Sequence, residues 1–194
     1  MSVRIMGTSG YILKKNEYYV LEKIVEDVKN AVSKASLYRN EENIQKYKDN
    51  RFSIYLSVFD KTAFYLDDDD WGNEEVDQGQ CFLFYIKCKD DNYESETQFD
   101  WVVKDGKLRK VSYIEEIRGC EEITFKFIHE YLKLNPQDYF WVEDDWVYNL
   151  EDMERLSKSP FNENWCYIKS STTLDNFSHK LKENIVLIEM SILQ

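Results

Sequence analysis

The sequence predicts an α+β protein: an antiparallel sheet of about five or six strands covered by two main helices, plus one or two short C-terminal helices. Three observations lead to this fold class. Strand-like apolar runs fill the middle of the chain, two apolar stripes at helical spacing flank them, and capping signatures occur towards the C-terminus. With 194 residues, two prolines and six glycines, the chain is expected to form a single globular domain over residues 1–194.

The strand predictions fall mainly in the middle of the chain. Arg51–Phe59 alternates apolar and polar residues, as a half-buried strand does, and Cys81–Cys88 is apolar on both faces, as a central strand is. Shorter strands are expected at Val3–Ile5 and Tyr11–Leu13. The Asp-Gly pair at 105–106 predicts a tight hairpin turn, because both central positions of such a turn need positive φ.

The helix predictions lie on either side of these strands. Leu21–Ala35 has an apolar face at helical spacing, and Asn16 is the expected cap of this first helix. Glu121–Leu134 is the second helix, and a short third one is expected at Leu150–Lys158, where a capping-box signature precedes an apolar run. The polar residues 40–50 are expected to form a loop or a weak helical turn.

Charge is distributed unevenly along the chain, whose formal net charge is −12. Residues 60–100 hold thirteen acidic and three basic residues, and residues 137–154 hold seven acidic and no basic ones. Such surfaces repel phosphate, so neither direct nucleic-acid binding nor membrane binding is expected. The asymmetry favours a basic protein partner, a bound cation, or a purely solubilising role.

Two acidic segments that contain tryptophan are the candidate partner-binding residues. They comprise Asp67, Asp68, Asp69, Asp70, Trp71, Glu74, Glu75, Trp141, Glu143, Asp144, Asp145 and Trp146. Tryptophan is enriched at the centres of protein interfaces, and surrounding carboxylates steer and select a basic partner. The alternatives are a solvated acidic loop for the first segment and, for the second, a loop at the core edge whose aromatic residues pack on the sheet.

Motifs for catalysis, metal binding or cofactor binding are missing from the sequence, so no catalytic residue, metal or cofactor is predicted. Residues 67–78 depart from a calcium-binding loop at two positions, and His129 and His179 lack the spaced cysteines of a zinc site. Two enzymatic alternatives stay open. One is a Cys–His pair that includes Cys120, and the other is a metal-dependent hydrolase using the carboxylates of residues 143–145.

The leading hypothesis is a non-enzymatic binding protein that neutralises a basic partner, such as a nuclease toxin or another nucleic-acid-binding protein. In size and acidity the chain resembles immunity proteins that block such toxins; the likeness is one of composition, without a shared motif. A third possibility is an adaptor protein with no inhibitory role. No signal peptide is recognised, and the apolar run Ile185–Leu193 is too short to span a bilayer, so a cytoplasmic location is expected.

Overall fold

One antiparallel sheet and three α-helices make up the computed structural model, which describes residues 8–46, 52–60, 80–87, 102, 108–142 and 146–167. The α+β class is therefore confirmed. The strands are β1 (Gly10–Lys15), β2 (Tyr38–Arg39), β3 (Asn43–Lys46), β4 (Phe52–Phe59), β5 (Cys81–Lys87), β6 (Leu108–Ile114), β7 (Tyr139–Val142) and β8 (Trp146–Tyr148). Their order in the sheet is β2-β4-β5-β6-β1-β7-β8, and β3 pairs with β4 further along the edge that β2 occupies.

The two long helices, α1 (Leu21–Lys34) and α2 (Glu121–Leu134), contact each other and cover one face of the sheet. The bounds of α2 are those that the sequence predicts. The short helix α3 (Leu150–Ser157) follows β8, and its predicted capping box is confirmed. Asn149 Oδ1 accepts a hydrogen bond from the Asp152 amide at 2.9 Å, and Asp152 Oδ2 accepts one from the Asn149 amide at 3.1 Å.

The cap predicted for the first helix is wrong. Asn16 opens a short 3-10 turn, Asn16–Tyr18, and α1 begins only at Leu21. The residue before α1 is Val20, whose side chain cannot accept a hydrogen bond, so the helix starts without a side-chain cap. The apolar stripe of α1 was predicted correctly because its burial in the core, rather than capping, holds the helix in place.

The predicted number of strands is too low, because eight strands are present in the described residues. Residues 43–46, expected in a loop or weak helical turn, form β3 and pair with β4. Between β2 and β3 the side chain of Asn40 accepts a hydrogen bond from the Ser57 amide at 2.8 Å and so bridges the break in the edge strand. Strands of two to four residues are too short for a periodic pattern to reveal them.

The second acidic segment is also built differently from the core-edge loop considered above. Tyr139–Val142 and Trp146–Tyr148 are paired strands of a hairpin, and β7 also pairs with β1. The aromatic residues of this region are therefore part of the sheet itself. Three predicted features, the strand at Val3–Ile5, the turn at 105–106 and the apolar run 185–193, lie outside the described residues.

The core fills the space between the helices and one face of the sheet. Phe127 of α2 is fully buried and its ring lies 5.6 Å and 5.1 Å from those of Phe82 and Phe84 on β5. Successive strand residues point to opposite faces, so the residues between Phe82 and Ile86 alternate between this core and the other face. No helix in the described part of the chain is long and apolar enough to cross a membrane.

Candidate functional site

The face of the sheet that points away from the helices carries a continuous row of aromatic rings. Five neighbouring strands contribute one ring each, and in every neighbouring pair the two ring-bearing residues are direct register partners. Consecutive centroids along the row are 5.9, 4.7, 5.8 and 5.0 Å apart. We call this set the aromatic row; from β4 to β7 it consists of Tyr55, Tyr85, Tyr113, Tyr11 and Trp141.

Every ring of the aromatic row is half-buried, so each keeps part of its surface accessible. Leu83, two residues before Tyr85 on the same face, is 39% exposed, which shows that solvent reaches this face of the sheet. Tyrosine and tryptophan suit strands because their rings pack across neighbouring strands, each such pair contributing about 0.2–1 kcal/mol. The row therefore stabilises the sheet and also presents a surface rich in the residue types that dominate protein interfaces.

Lysine side chains already lie over the rings of the row. The ammonium of Lys110 is 4.3 Å from the centroid of the Tyr11 ring and 4.4 Å from that of Trp141. Lys87 places its ammonium 5.4 Å from the centroid of Tyr113. A cation within about 6 Å of an aromatic face is attracted by the ring quadrupole. The row is thus chemically suited to cationic side chains.

A carboxylate borders the row near its centre. The Tyr85 hydroxyl donates a hydrogen bond to Glu115 Oε2 at 3.1 Å. Burial raises the pKa of Tyr85 to about 12, and the acceptor Glu115 adds to the rise. Tyr85 is therefore a neutral donor at physiological pH, and it fixes the position of the exposed Glu115 side chain.

The strand pairing shows which end of the sheet the acidic segments adjoin. Phe59, the last residue of β4, pairs with Cys81, the first residue of β5. Val142, the last residue of β7, pairs with Trp146, the first residue of β8. Gly10, the first residue of β1, lies opposite both Val142 and the last residue of β6. The residues that flank segments 60–80 and 143–145, together with the end of β6, therefore lie at one end of the sheet. We call it the acidic end.

Two further carboxylates at the acidic end, Asp60 and Glu116, accept hydrogen bonds from backbone amides. Asp60 Oδ1 accepts a hydrogen bond from the Gln80 amide at 2.9 Å. Glu116 Oε1 accepts from the amides of Thr8 at 3.1 Å and Arg118 at 3.0 Å. These hydrogen bonds fix the positions of the two carboxylates at this end of the sheet.

The structure brings only one of the sequence-predicted partner-binding residues into the aromatic row. Trp141 belongs to it, whereas Trp146 pairs with Val142 and packs against the core on the helix side. The two tryptophans thus lie on opposite faces of the sheet. The other predicted partner-binding residues lie outside the described residues, namely Asp67, Asp68, Asp69, Asp70, Trp71, Glu74, Glu75, Glu143, Asp144 and Asp145.

The four tyrosines of the aromatic row were not predicted as functional residues. Each occupies an outward-facing position of its strand, and this alternation was visible in the sequence of β4. What the sequence does not display is that the four positions share one register level on neighbouring strands. Outward-facing tyrosines in several successive strands are the signal that points to such a row.

A nucleophilic role for Cys120 finds no support in its surroundings. Its thiol is buried and donates towards the carbonyls of Glu116 and Ile117, each at 3.1 Å. Burial raises the pKa of Cys120 to about 12, so the reactive thiolate is not populated near neutral pH. His129 lies elsewhere on α2, with Nε2 3.3 Å from Glu154 Oε1 of α3.

A buried ion pair joins β1 to the segment after α2. Lys14 Nζ lies 2.6 Å from Asp138 Oδ2 and 3.2 Å from Asn135 Oδ1, and the Tyr131 hydroxyl donates to the same carboxylate at 3.0 Å. The side chains of Lys14 and Asp138 are 2% and 0% exposed. Burial raises the pKa of Asp138, while Lys14 and Tyr131 oppose the rise. Because neither side chain reaches solvent, we assign this ion pair a role in stabilising the fold rather than in binding.

An apolar cleft of about 420 Å³ lies between α2, α3 and residues 159–165. Phe125, Phe161 and Trp165 form much of its wall, with ring centroids 5.4–5.9 Å apart. The two charged side chains in its described lining, Glu122 and Lys126, pair with each other at 2.7 Å. Its volume suits a small apolar group, but its lining offers no free charge for acid–base chemistry.

Metal binding is not indicated by the described residues, in which no three His, Cys, Asp or Glu side chains are grouped closely enough to hold an ion. Comparison of the chain with protein-family models, with curated proteins and with solved structures gave no match. Function therefore has to be inferred from the chain's own geometry and charge.

Proposed function

We propose that this protein is a non-enzymatic binding protein that captures a basic protein partner through the acidic end of its sheet and the adjoining aromatic row. The observation that carries the proposal is the strand pairing, which brings the strand ends that flank three acidic segments to one end of the sheet. These are residues 60–80 between β4 and β5, residues 115–116 after β6, and residues 143–145 between β7 and β8.

The charge of these connections accounts for the acidity of the whole chain. Together they hold thirteen acidic residues and one basic residue, Lys61, and so carry a formal charge of −12, equal to that of the whole chain. Charge gathered at one end of a molecule raises the association rate of a partner of opposite sign and repels partners of the same sign. A basic partner is therefore attracted to this end.

The aromatic row supplies the packed centre that steering charges alone do not provide. Tyr113, Tyr11 and Trp141 each lie one residue from the end of their strand on the acidic side. Lysine and arginine side chains bind aromatic faces, as Lys110 does within this chain. Tyr and Trp anchors surrounded by charged groups are the usual composition of a binding hot spot and its rim.

In its specific form, we propose that the partner is a nuclease toxin or another nucleic-acid-binding protein, and that binding inhibits it. A surface that binds nucleic acid is lined with Lys and Arg to neutralise phosphates. Carboxylates spaced along one end of a sheet offer the same sign of charge as a phosphate backbone. The chain would then block such a partner by occupying its nucleic-acid-binding surface.

The test is affinity capture with the purified chain as bait, from lysates of its source organism and of that organism's close competitors or hosts. We expect one stoichiometric basic protein, released as salt rises because exposed charge pairs are screened. A bait with Asp67–Asp70→Asn should capture less of it. The control bait carries Glu→Gln at four exposed glutamates away from the acidic end and thus the same net charge; the four are Glu17, Glu22, Glu26 and Glu151.

Capture that is equal for both variant baits would show that overall charge, rather than the acidic end, attracts the partner. Capture that survives molar salt unchanged would show that charge is not the main attraction. If the captured protein is a nuclease, adding the chain should abolish its cleavage of nucleic acid. Bound but uninhibited nuclease would favour the adaptor role.

A further inference from the structure

Strand β3 (Asn43–Lys46) is an edge strand with an accessible side. Within the described residues its strand neighbour is β4, on one side only. All four of its side chains are exposed. Ile44 is 61% exposed, more than any other large apolar side chain in the described part of the chain. Exposed edges that carry an apolar residue and no proline are templates for a further strand.

The residues around Ile44 are complementary to themselves. Lys46 lies two positions after Ile44 on the same face of β3, and Glu42 lies two positions before Ile44, one residue ahead of the strand. If two copies of β3 pair antiparallel about a two-fold axis at Ile44, the isoleucines face each other and each Glu42 faces the partner's Lys46. An isologous contact of this kind needs a self-complementary patch, and opposite charges on facing strands stabilise it.

Glu42 and Lys46 supply the charges for this pairing. Glu42 is held in place by ion pairs with Lys29 of α1 and with Arg39, the latter at 3.4 Å. The hydrogen bond and ion pair with Lys29 lower the pKa of Glu42, so this carboxylate stays ionised. Lys46 makes no ion pair with any residue that the structure describes, and its ammonium is therefore open to a carboxylate from outside the chain.

We propose that β3 is a self-association edge, at which a second copy of this chain adds antiparallel and extends the sheet through an Ile44–Ile44 contact. Within the sheet, β3 pairs with β4 on the side opposite to β5, so it lies beyond Tyr55, the first ring of the aromatic row. The inference is independent of the proposed function, because a dimer would extend the sheet at its edge and would not occupy the face that carries the row.

The test is disulfide capture in the full chain with Ile44→Cys. Facing Cα atoms across an antiparallel pair are about 4.5–5.5 Å apart, within the range of a disulfide. The control is Gln45→Cys, on the same strand and also exposed. In the proposed register residue 45 faces residue 43 of the other copy, so two copies of residue 45 are about 8 Å apart, beyond disulfide reach.

We expect Ile44→Cys to give several-fold more covalent dimer under mild oxidation than either Gln45→Cys or the unaltered chain. Adding Lys46→Glu to Ile44→Cys should lower the yield several-fold, because carboxylates then face each other across the contact. Equal yields for Ile44→Cys and Gln45→Cys, whether high or low, would overturn the proposal. Both positions are exposed, so neither substitution disturbs the fold.

Discussion

Tyr85 and Tyr113 lie directly opposite each other on β5 and β6, with ring planes 7° apart and centroids 4.7 Å apart. This is the closest contact in the aromatic row and lies at its centre. The hydroxyl of Tyr85 is tied to Glu115, at the acidic end of the sheet. One pair of residues therefore links the packing of the sheet to the surface that we propose for partner binding.

Replacing either ring of this pair should weaken the sheet. We expect Tyr113→Leu to lower the free energy of unfolding by about 1 kcal/mol, because aromatic pairs contribute about 0.5–1.5 kcal/mol beyond the area they bury. Urea denaturation of both single variants and of Tyr85→Leu/Tyr113→Leu measures the coupling between the rings. A coupling energy of zero in this double-mutant cycle would mean that the two rings do not stabilise each other.

The hydroxyl of Tyr85 should lose its proton at a higher pH than that of an exposed tyrosine. Burial and the hydrogen bond to Glu115 raise its pKa to about 12, and we expect Glu115→Gln to lower that pKa only in part, because burial is the larger cause. A raised pKa in the folded state contributes stability that is lost as pH rises from about 10 upward. NMR titration of the tyrosine rings measures the pKa, with Tyr85→Phe assigning the signal; a pKa near 10 would contradict the burial of this hydroxyl.

Removing Lys14 should leave a buried carboxylate without its cation. We expect Lys14→Met to cost about 3–5 kcal/mol of unfolding free energy at neutral pH, the usual effect of breaking a buried ion pair. Only Tyr131 would then oppose the effect of burial on the pKa of Asp138, which would rise further. Stability that depends on a raised carboxyl pKa is present at low pH and lost as pH rises above about 4, so the cost should shrink on acidification.

Thermal or urea unfolding of wild type and Lys14→Met across this pH range measures the effect. The control is Lys14→Met combined with Asp138→Asn, which removes the titrating carboxyl group. The loss of unfolding free energy in this double variant, measured against Asp138→Asn alone, should not depend on pH. If Lys14→Met lowers the free energy of unfolding by the same amount at neutral and at acidic pH, the ionised carboxylate of Asp138 is not the cause of that loss.

Gly10 should not tolerate a side chain. A Cβ at this position would lie 2.8 Å from Cδ1 of Ile117 and closer still to the ring of Phe140. That ring is fully buried beside Trp165, so it cannot move aside. We expect Gly10→Ala to cost about 1–3 kcal/mol by overpacking, with partial recovery in Gly10→Ala/Phe140→Leu. Unchanged urea stability of Gly10→Ala would contradict the close approach of Phe140.

Local signals in the sequence were sufficient for part of the fold. The bounds of α2 follow from its apolar stripe and the Asn-Pro pair that ends it, and the capping box of α3 follows from residue types three positions apart. The core strands β4 and β5 were found because seven or eight residues are enough to show a pattern. These features depend on neighbours in the chain.

The candidate site depended on contacts that the sequence does not display. The aromatic row exists because β1, from the start of the chain, lies between β6 and β7. Strand alternation then sends two successive apolar residues of β1 to opposite clusters, Ile12 to the helix side and Leu13 to the other. Trp141 was predicted from composition, but only strand order brings Tyr11 and Tyr113 beside it.

The most direct test of the proposed surface is the affinity of the captured partner for a variant that lacks two rings of the row. We expect Tyr113→Leu/Trp141→Leu to weaken binding by at least about 2 kcal/mol, the size of a hot-spot contribution. The matched control is Tyr18→Leu/Phe161→Leu, two exposed aromatic residues outside the row, which should bind as the unaltered chain does. Equal affinity for both variants, in folded proteins, would contradict the proposal that the aromatic row is the binding surface.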